Sequence, residues 1–417
     1  MVTRLKKFLH GQQGAIAIMA VFVIPLLIGF LTLSIDFGSL FDQKRKLQQA
    51  SDTGAINGAW ALVYQSSAQA YNYALDAANK NSFSSTMGTF TFNNPPSTGA
   101  FIGDPLAVEV KLSQPGNLRL LKYFGIDSIT LNTRSVASTK ILPICAFMTS
   151  ASVSGVTSSS ALTLSGGANV RMDNCGIGIN ATGSAAMSIV GNSTLTTDFV
   201  AIVGNYKSTS NANLNIKNGI DTGVPPIQDP FINLKPPSFS GCTTNNYSTK
   251  SKVTLNPGVY CGGMSLTGKA NVTLNPGVYI IDRGSLSLGA QSQMTGKDVT
   301  FILTSSTNSN YPTVTIAGGA STNLSASPTG QWAGFLFFED RRASGLTHSV
   351  TGGSAQILSG ILYFPSSSLK YAGSTSAAGS VCVQLAANTI TFTGGATLGS
   401  SCPTESAFKI GKVKLVE

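Results

Sequence analysis

Apolar residues are distributed along the chain in three successive patterns. From Ala15 to Ile35 they run without a charge (AIAIMAVFVIPLLIGFLTLSI), 21 residues in all. At 1.5 Å of rise per residue, a helix of that length spans the roughly 30 Å hydrocarbon core of a bilayer. Ala15 and Ile35 bound this expected anchor, and Pro25 near its middle does not argue against it, because lipid-embedded helices tolerate proline. The rival, a cleaved signal peptide, fits poorly: the run is too long for an h-region and no small-residue cleavage site closes it. From Phe37 to Val63 the apolar positions (Phe37, Leu40, Phe41, Leu47, Ala50, Ala55, Ala59, Leu62, Val63) mostly share one helical stripe. This predicts one long amphipathic helix over 36–85, with Ala50, Ala55 and Ala59 on a small-residue face that packs in its own domain or meets a partner helix.

After about Thr86 the period drops to two. TFTF, LAVEVKL and SITLNTRSVAS alternate between turn clusters such as NNPPSTG, which predicts a small α+β module over 86–140. Over 141–405 the alternation becomes repetitive: VTLNPGVY occurs at Val253–Tyr260 and again at Val272–Tyr279, 19 residues apart, with looser echoes such as LTLSGGANVRM and ITFTGGATL around it. Short strands joined by Gly and Asn corners at a period near 20 residues suit a β-solenoid, in which each coil buries its apolar face only by stacking on the next. A right-handed parallel β-helix is the expected architecture, with a β-sandwich as the alternative. The whole chain therefore reads as mainly β, divided into 1–35, 36–85, 86–140, 141–405 and a basic tail over 406–417.

Charge changes this picture little. The formal net charge is +10, yet charged residues are only 11% of the chain. Much of the excess flanks the apolar run (Arg4, Lys6, Lys7; Lys44, Arg45, Lys46) or sits in the tail (Lys409, Lys412, Lys414), which suits membrane flanks better than a specific nucleic-acid surface. With three basic residues on each side, the count alone does not orient the helix. The α-amine on the first side, Asp36 and Asp42 on the second, and the cysteines favour a cytoplasmic N-terminus. High hydrophobicity also excludes a disordered chain.

All six cysteines (Cys145, Cys175, Cys242, Cys261, Cys382, Cys402) lie beyond the anchor, none in a Cys-x-x-Cys pair, and only two histidines accompany them. Zinc and thioredoxin-like readings are poor on those grounds. Disulfides in an oxidising compartment fit better, and buried free thiols are the alternative. Fifteen pairings are open. Nearest-neighbour pairs suit a quasi-linear stack, where distant coils do not meet.

Parallel β-helices can carry carbohydrate chemistry, which needs clustered carboxylates. Between Pro143 and Pro403 there are eight acids, and no set recurs at coil spacing; Asp282 and Asp298 come closest. The best constellation is Glu339, Asp340 and Arg341, followed by Arg342 and His348, which could hold an anion or a sugar. The competing reading is a loop whose opposite charges pair. The Gly-Gly pairs lack a Lys-Ser/Thr follow-on, so no phosphate loop, cofactor or metal site is expected.

Residues Gly14-Ala15-Ile16-Ala17-Ile18-Met19, Asp36-Phe37-Gly38 and Leu47-Gln48-Gln49-Ala50-Ser51-Asp52 resemble the N-terminal region of TadG-like Flp (tight adherence, type IVc) pilus-assembly proteins. Asn174-Cys175-Gly176, Pro257-Gly258-Val259-Tyr260-Cys261 and Tyr363-Phe364-Pro365 are similar to the family's solenoid half. The resemblance implies a single-pass protein of the bacterial inner membrane, its bulk periplasmic or on the surface, with pilus-assembly proteins or pilin-like helices as partners. It also implies a structural or adhesive role without catalysis. A surface carbohydrate-active or glycan-binding protein, with surface or extracellular glycans as partner, is the alternative. Unlike pilins of this system, the chain has no Glu five residues after Gly11 or Gly14, so no prepilin-peptidase site is visible.

Overall fold

The computed structural model describes residues 12–64, 67–150, 160–224, 226–351, 356–373, 382–402 and 409–417. The basic residues Arg4, Lys6 and Lys7 lie outside them, as does the side chain of Ala15. The chain divides into two units, 1–140 with 411–417, and 141–410. It is mainly β, with 45% of the described residues in strands, and begins with a long apolar helix.

That helix, α1, runs unbroken over Gln12–Tyr64 with Pro25 inside it. From Met19 to Ile35 its large apolar side chains are exposed, Phe22 to 73%, and burial sets in abruptly at Asp36. A second helix, α2 (Ser67–Lys80), follows, so the single helix expected over 36–85 is instead two packed helices. The first unit also holds the antiparallel strands β1 (Thr89–Asn93), β2 (Ala107–Asn117) and the part of β3 (Ser128–Met148) that pairs with β2, residues 128–138. Ala50, Ala55 and Ala59 are fully buried against Ala74 and Ala78 of α2 and against Val108, Val110 and Leu112 of β2. Of the two readings of this face, packing within the chain's own domain is the one these buried side chains fit. Small side chains let two helices and a sheet approach closely, and the chain supplies its own partners.

The expected basic tail is also corrected over its described part. Lys409–Leu415 is a strand, and Val413 and Leu415 pack on the core of the first unit. Beyond it, Val416 N–H donates to the Val136 carbonyl, and the Glu417 carbonyl accepts from Val136 N–H at 2.7 Å.

The second unit is built from short strands that pair in parallel with strands about 20 residues away. Val253 and Leu255 lie opposite Val272 and Leu274, and Val272 lies in turn opposite Met294. The repeated octapeptide explains itself in this way: Asn275 Nδ2 donates to Asn256 Oδ1 at 2.7 Å, and the rings of Tyr260 and Tyr279 stack. In strands such as Leu162-Thr163-Leu164 and Leu286-Ser287-Leu288, the apolar residues belong to one continuous core and the Thr or Ser between them lies outside it. Gly263 marks a corner that needs glycine twice over: its φ is +94°, and a Cβ there would lie 2.5 Å from the Ser285 carbonyl oxygen of the next strand layer.

The order of layers in space differs from their order in sequence. Among the described residues the chain enters at 144–150 and 160–173, adds 176–197, 200–216 and Ile220–Thr222, and begins a second series at Thr244. That series ends with Val383–Thr393 and Thr397–Ser401, which pair back onto the first layer: Leu385 opposite Ala146, Ile390 opposite Leu162, Leu398 opposite Val170. The segment 226–241 thus forms a strap along the side of the β unit. Asn180 clamps its Ile227 through both amide atoms at 2.7 and 2.8 Å, and Phe231 packs edge-on against Phe335 and Tyr363.

Candidate functional site

Two places concentrate polar side chains. The first is where α1 leaves its exposed stretch and docks on the sheet of its own unit. Asp36, completely buried, accepts hydrogen bonds from the backbone N–H groups of Arg119, Leu120 and Leu121 at 2.9, 2.9 and 2.5 Å. Two turns on, Gln43 pairs with the Asn117 backbone as a strand neighbour would, accepting at 2.8 Å and donating at 3.0 Å. Gln48 donates to the Arg134 carbonyl and to Ser135, Ser135 donates to Asp52 at 2.6 Å, and Ser51 donates to the Val110 carbonyl. Gly54 and Gly58 follow these residues along α1; a Cβ on Gly58 would come within 2.9 Å of the Phe92 ring and 3.1 Å of Ala74 Cβ. In the sequence Asp36, Gln48 and Asp52 stand out as parts of a motif, without their partners. Their role is to fasten the helix to the sheet. Pro25 and Ile35 lie on the exposed stretch before this junction.

On the far side of the same sheet, buried Glu109 receives Asn93, Ser97, Thr98 and Arg134, and Arg134 also bridges to Glu417 at 2.5 Å. Burial alone would raise the Glu109 carboxyl; the hydrogen bonds from Thr98, Ser97, Asn93 and Arg134 outweigh it and hold the group far below the usual carboxylate range.

The second place is a cleft of about 690 Å³ in the β unit, between the strap residues Ile232–Phe239 and Asp340, Arg341 and Arg342. The constellation singled out in the sequence divides here. Glu339 is buried away from the cleft, where its Oε1 accepts from Ser367 at 2.6 Å and from His348 Nε2 at 2.8 Å. Since His348 Nδ1 accepts the Val314 N–H at 3.1 Å, the imidazole proton sits on Nε2. Serine and histidine both bind the carboxylate and not each other, so no activated nucleophile results.

Asp340 and Arg341 do reach the cleft, already partnered. Asp340 holds Arg342 and accepts from Thr304 at 2.7 Å. Burial would raise its carboxyl, but those hydrogen bonds outweigh burial and leave it below its ordinary range. Arg341 reaches Asp229 of the strap and the Tyr363 hydroxyl, which itself donates to Asp229 at 2.7 Å. Burial first, then the Asp229 carboxylate, pushes the Tyr363 phenol well above its usual range, so it remains a donor. The arginine tethers the strap across 112 residues of sequence, a pairing that no local pattern could signal. Asp282 is likewise spent within the structure, on Arg283 and on the Ser306 backbone and hydroxyl. Among the described residues no group of three or more His, Cys, Asp or Glu could hold a metal ion.

Three cystines join nearest neighbours in sequence, Cys145–Cys175, Cys242–Cys261 and Cys382–Cys402. The second fastens the end of the strap to the layer that follows it.

These features define a class: a β-rich protein carrying, near its N-terminus, one helix long and apolar enough to cross a membrane. Within it, residues 14–61 match the family model described as putative Flp pilus-assembly TadE/G-like. The matched residues are the exposed apolar stretch together with the side chains that dock α1 on its sheet. No curated protein and no solved structure matches the chain.

Proposed function

We propose that the chain is a structural component of Flp pilus assembly, anchored in the inner membrane by residues 15–35, with a cytoplasmic N-terminus and its bulk in the periplasm or at the surface. The observation that carries this reading is the helix that matches the TadE/G-like model: bare and apolar through Ile35, then docked from Asp36 onward. A bare apolar stretch of this length is costly in water and at home in lipid. Three cystines are in keeping with an oxidising compartment.

We read the β unit as a right-handed parallel β-helix that presents a rigid surface to partners among the pilus-assembly proteins. Support comes from the repeated parallel register and from the strong preference of parallel crossovers for the right hand. The role is non-catalytic on this reading. The glycan alternative has no comparable support, since the charged groups at the cleft are held by one another. Cells lacking the chain should lose surface Flp pili and regain them with the intact chain, but not with a version deleted for 15–35. Normal piliation without it overturns the proposal.

A further inference from the structure

The segment joining β2 and β3 shows an exposed face whose place is set by the helix junction. Leu121–Phe124 form one turn of 3-10 helix, closed by Gly125 in the left-handed region at φ +83°. Every described side chain from Lys122 to Thr130 is exposed, among them Tyr123 at 78%, Ile126 and Ile129. Lys122 lies 5.4 Å over the Tyr123 ring, and Arg119 is exposed beside it. Aromatic and aliphatic side chains interleaved with Lys and Arg are the composition of a bilayer interface.

Location supports the same occupant. The three backbone N–H groups that enter this turn are bound by Asp36. Asp36 is the first buried residue after the bare stretch, one position past Ile35. If 15–35 span the hydrocarbon core, Asp36 ties the start of this turn to the helix next to the end of the spanning segment.

We propose that residues 118–129 form a second membrane contact, an interfacial foot on which Tyr123 and Ile126 enter the headgroup region while Arg119 and Lys122 meet lipid phosphates. The foot rests on the reading of 15–35 as membrane-spanning. It would fix the first unit against the bilayer surface, which a single helix free to rotate does not do. Leu118, at the start of this segment, is buried.

The test is depth measurement by electron paramagnetic resonance on the full-length protein in vesicles of phosphatidylethanolamine and phosphatidylglycerol. All six native cysteines are paired, so an introduced cysteine takes the nitroxide label alone. Labels at Tyr123→Cys and, separately, Ile126→Cys should be shielded from a water-soluble nickel complex and accessible to oxygen, at depths of about 5–10 Å into the headgroup and acyl boundary. A label at Ile28→Cys reports the anchor independently. Shielding at 28 with full nickel access at both 123 and 126 overturns the foot and leaves the anchor standing. Nickel access at 28 overturns the anchor reading, and the foot with it.

Discussion

Gly58 offers a direct test of how closely α1 is docked. An exposed helical glycine replaced by alanine gains about 1 kcal/mol, because alanine has less backbone freedom to lose. Gly38, with nothing within 4 Å of a Cβ, should show that gain. At Gly58 the same gain competes with collision: the new methyl would lie 2.9 Å from the Phe92 ring, 3.1 Å from Ala74 Cβ and 3.3 Å from Val108. Ala74 has no rotamer to yield, so α2 must move, and overpacking of this kind costs about 1–3 kcal/mol. Collision wins, leaving Gly58→Ala between neutral and about 2 kcal/mol less stable than the parent, as the difference of those two terms. Denaturant unfolding of the full chain in micelles, followed at the helical circular-dichroism band, isolates the helical unit from the β unit. The midpoint should rise for Gly38→Ala and fall or stay for Gly58→Ala at unchanged slope. An equal rise for both would refute close docking.

Three further outcomes follow from the same contacts. Because folding depresses the Glu109 carboxyl, its stabilisation is complete above the ordinary value of 4.5 and is lost as pH falls below it; Glu109→Gln should therefore weaken the first unit at neutral pH, with the deficit shrinking in acid melts. Deleting 411–417 should lower the melting temperature of that unit, since Val413, Leu415 and the Glu417 bridge to Arg134 go with it, whereas loss of a solvated tail would leave the melt unchanged. Opening the cystine between Cys382 and Cys402, 20 residues apart, as a double serine variant should cost the β unit about 3 kcal/mol, read from guanidinium midpoints against the parent under oxidising conditions.

What the sequence made legible was whatever local pattern encodes. The uncharged run at 15–35, the period near 20 residues and the Gly and Asn corners all act over a few residues, and each left a readable trace. The nearest-neighbour cystines followed from the same linear logic. Long-range closure left none: that Val383–Ser401 pairs with strands at 144–148, 162–164 and 169–173, that 226–241 is strapped through Asp229 and Arg341, and that the C-terminal residues return to the first unit depends on partners more than a hundred positions away. The Ala50, Ala55 and Ala59 stripe shows the limit of composition, since a small-residue face states that something approaches closely and not what. Asp36 could have been found by asking why an ionisable residue stands one position past an anchor. A carboxylate there needs donors, and the turn at 119–121 supplies three.

The most direct measurement of the central claim is protease protection on intact cells, spheroplasts and lysed cells, with the β unit detected by antibody and its membrane association checked by alkaline extraction. The account predicts a chain that resists extraction and whose β unit is cut in intact cells or in spheroplasts before lysis. A chain that washes off the membrane, or a β unit cut only after lysis of the inner membrane, would contradict it.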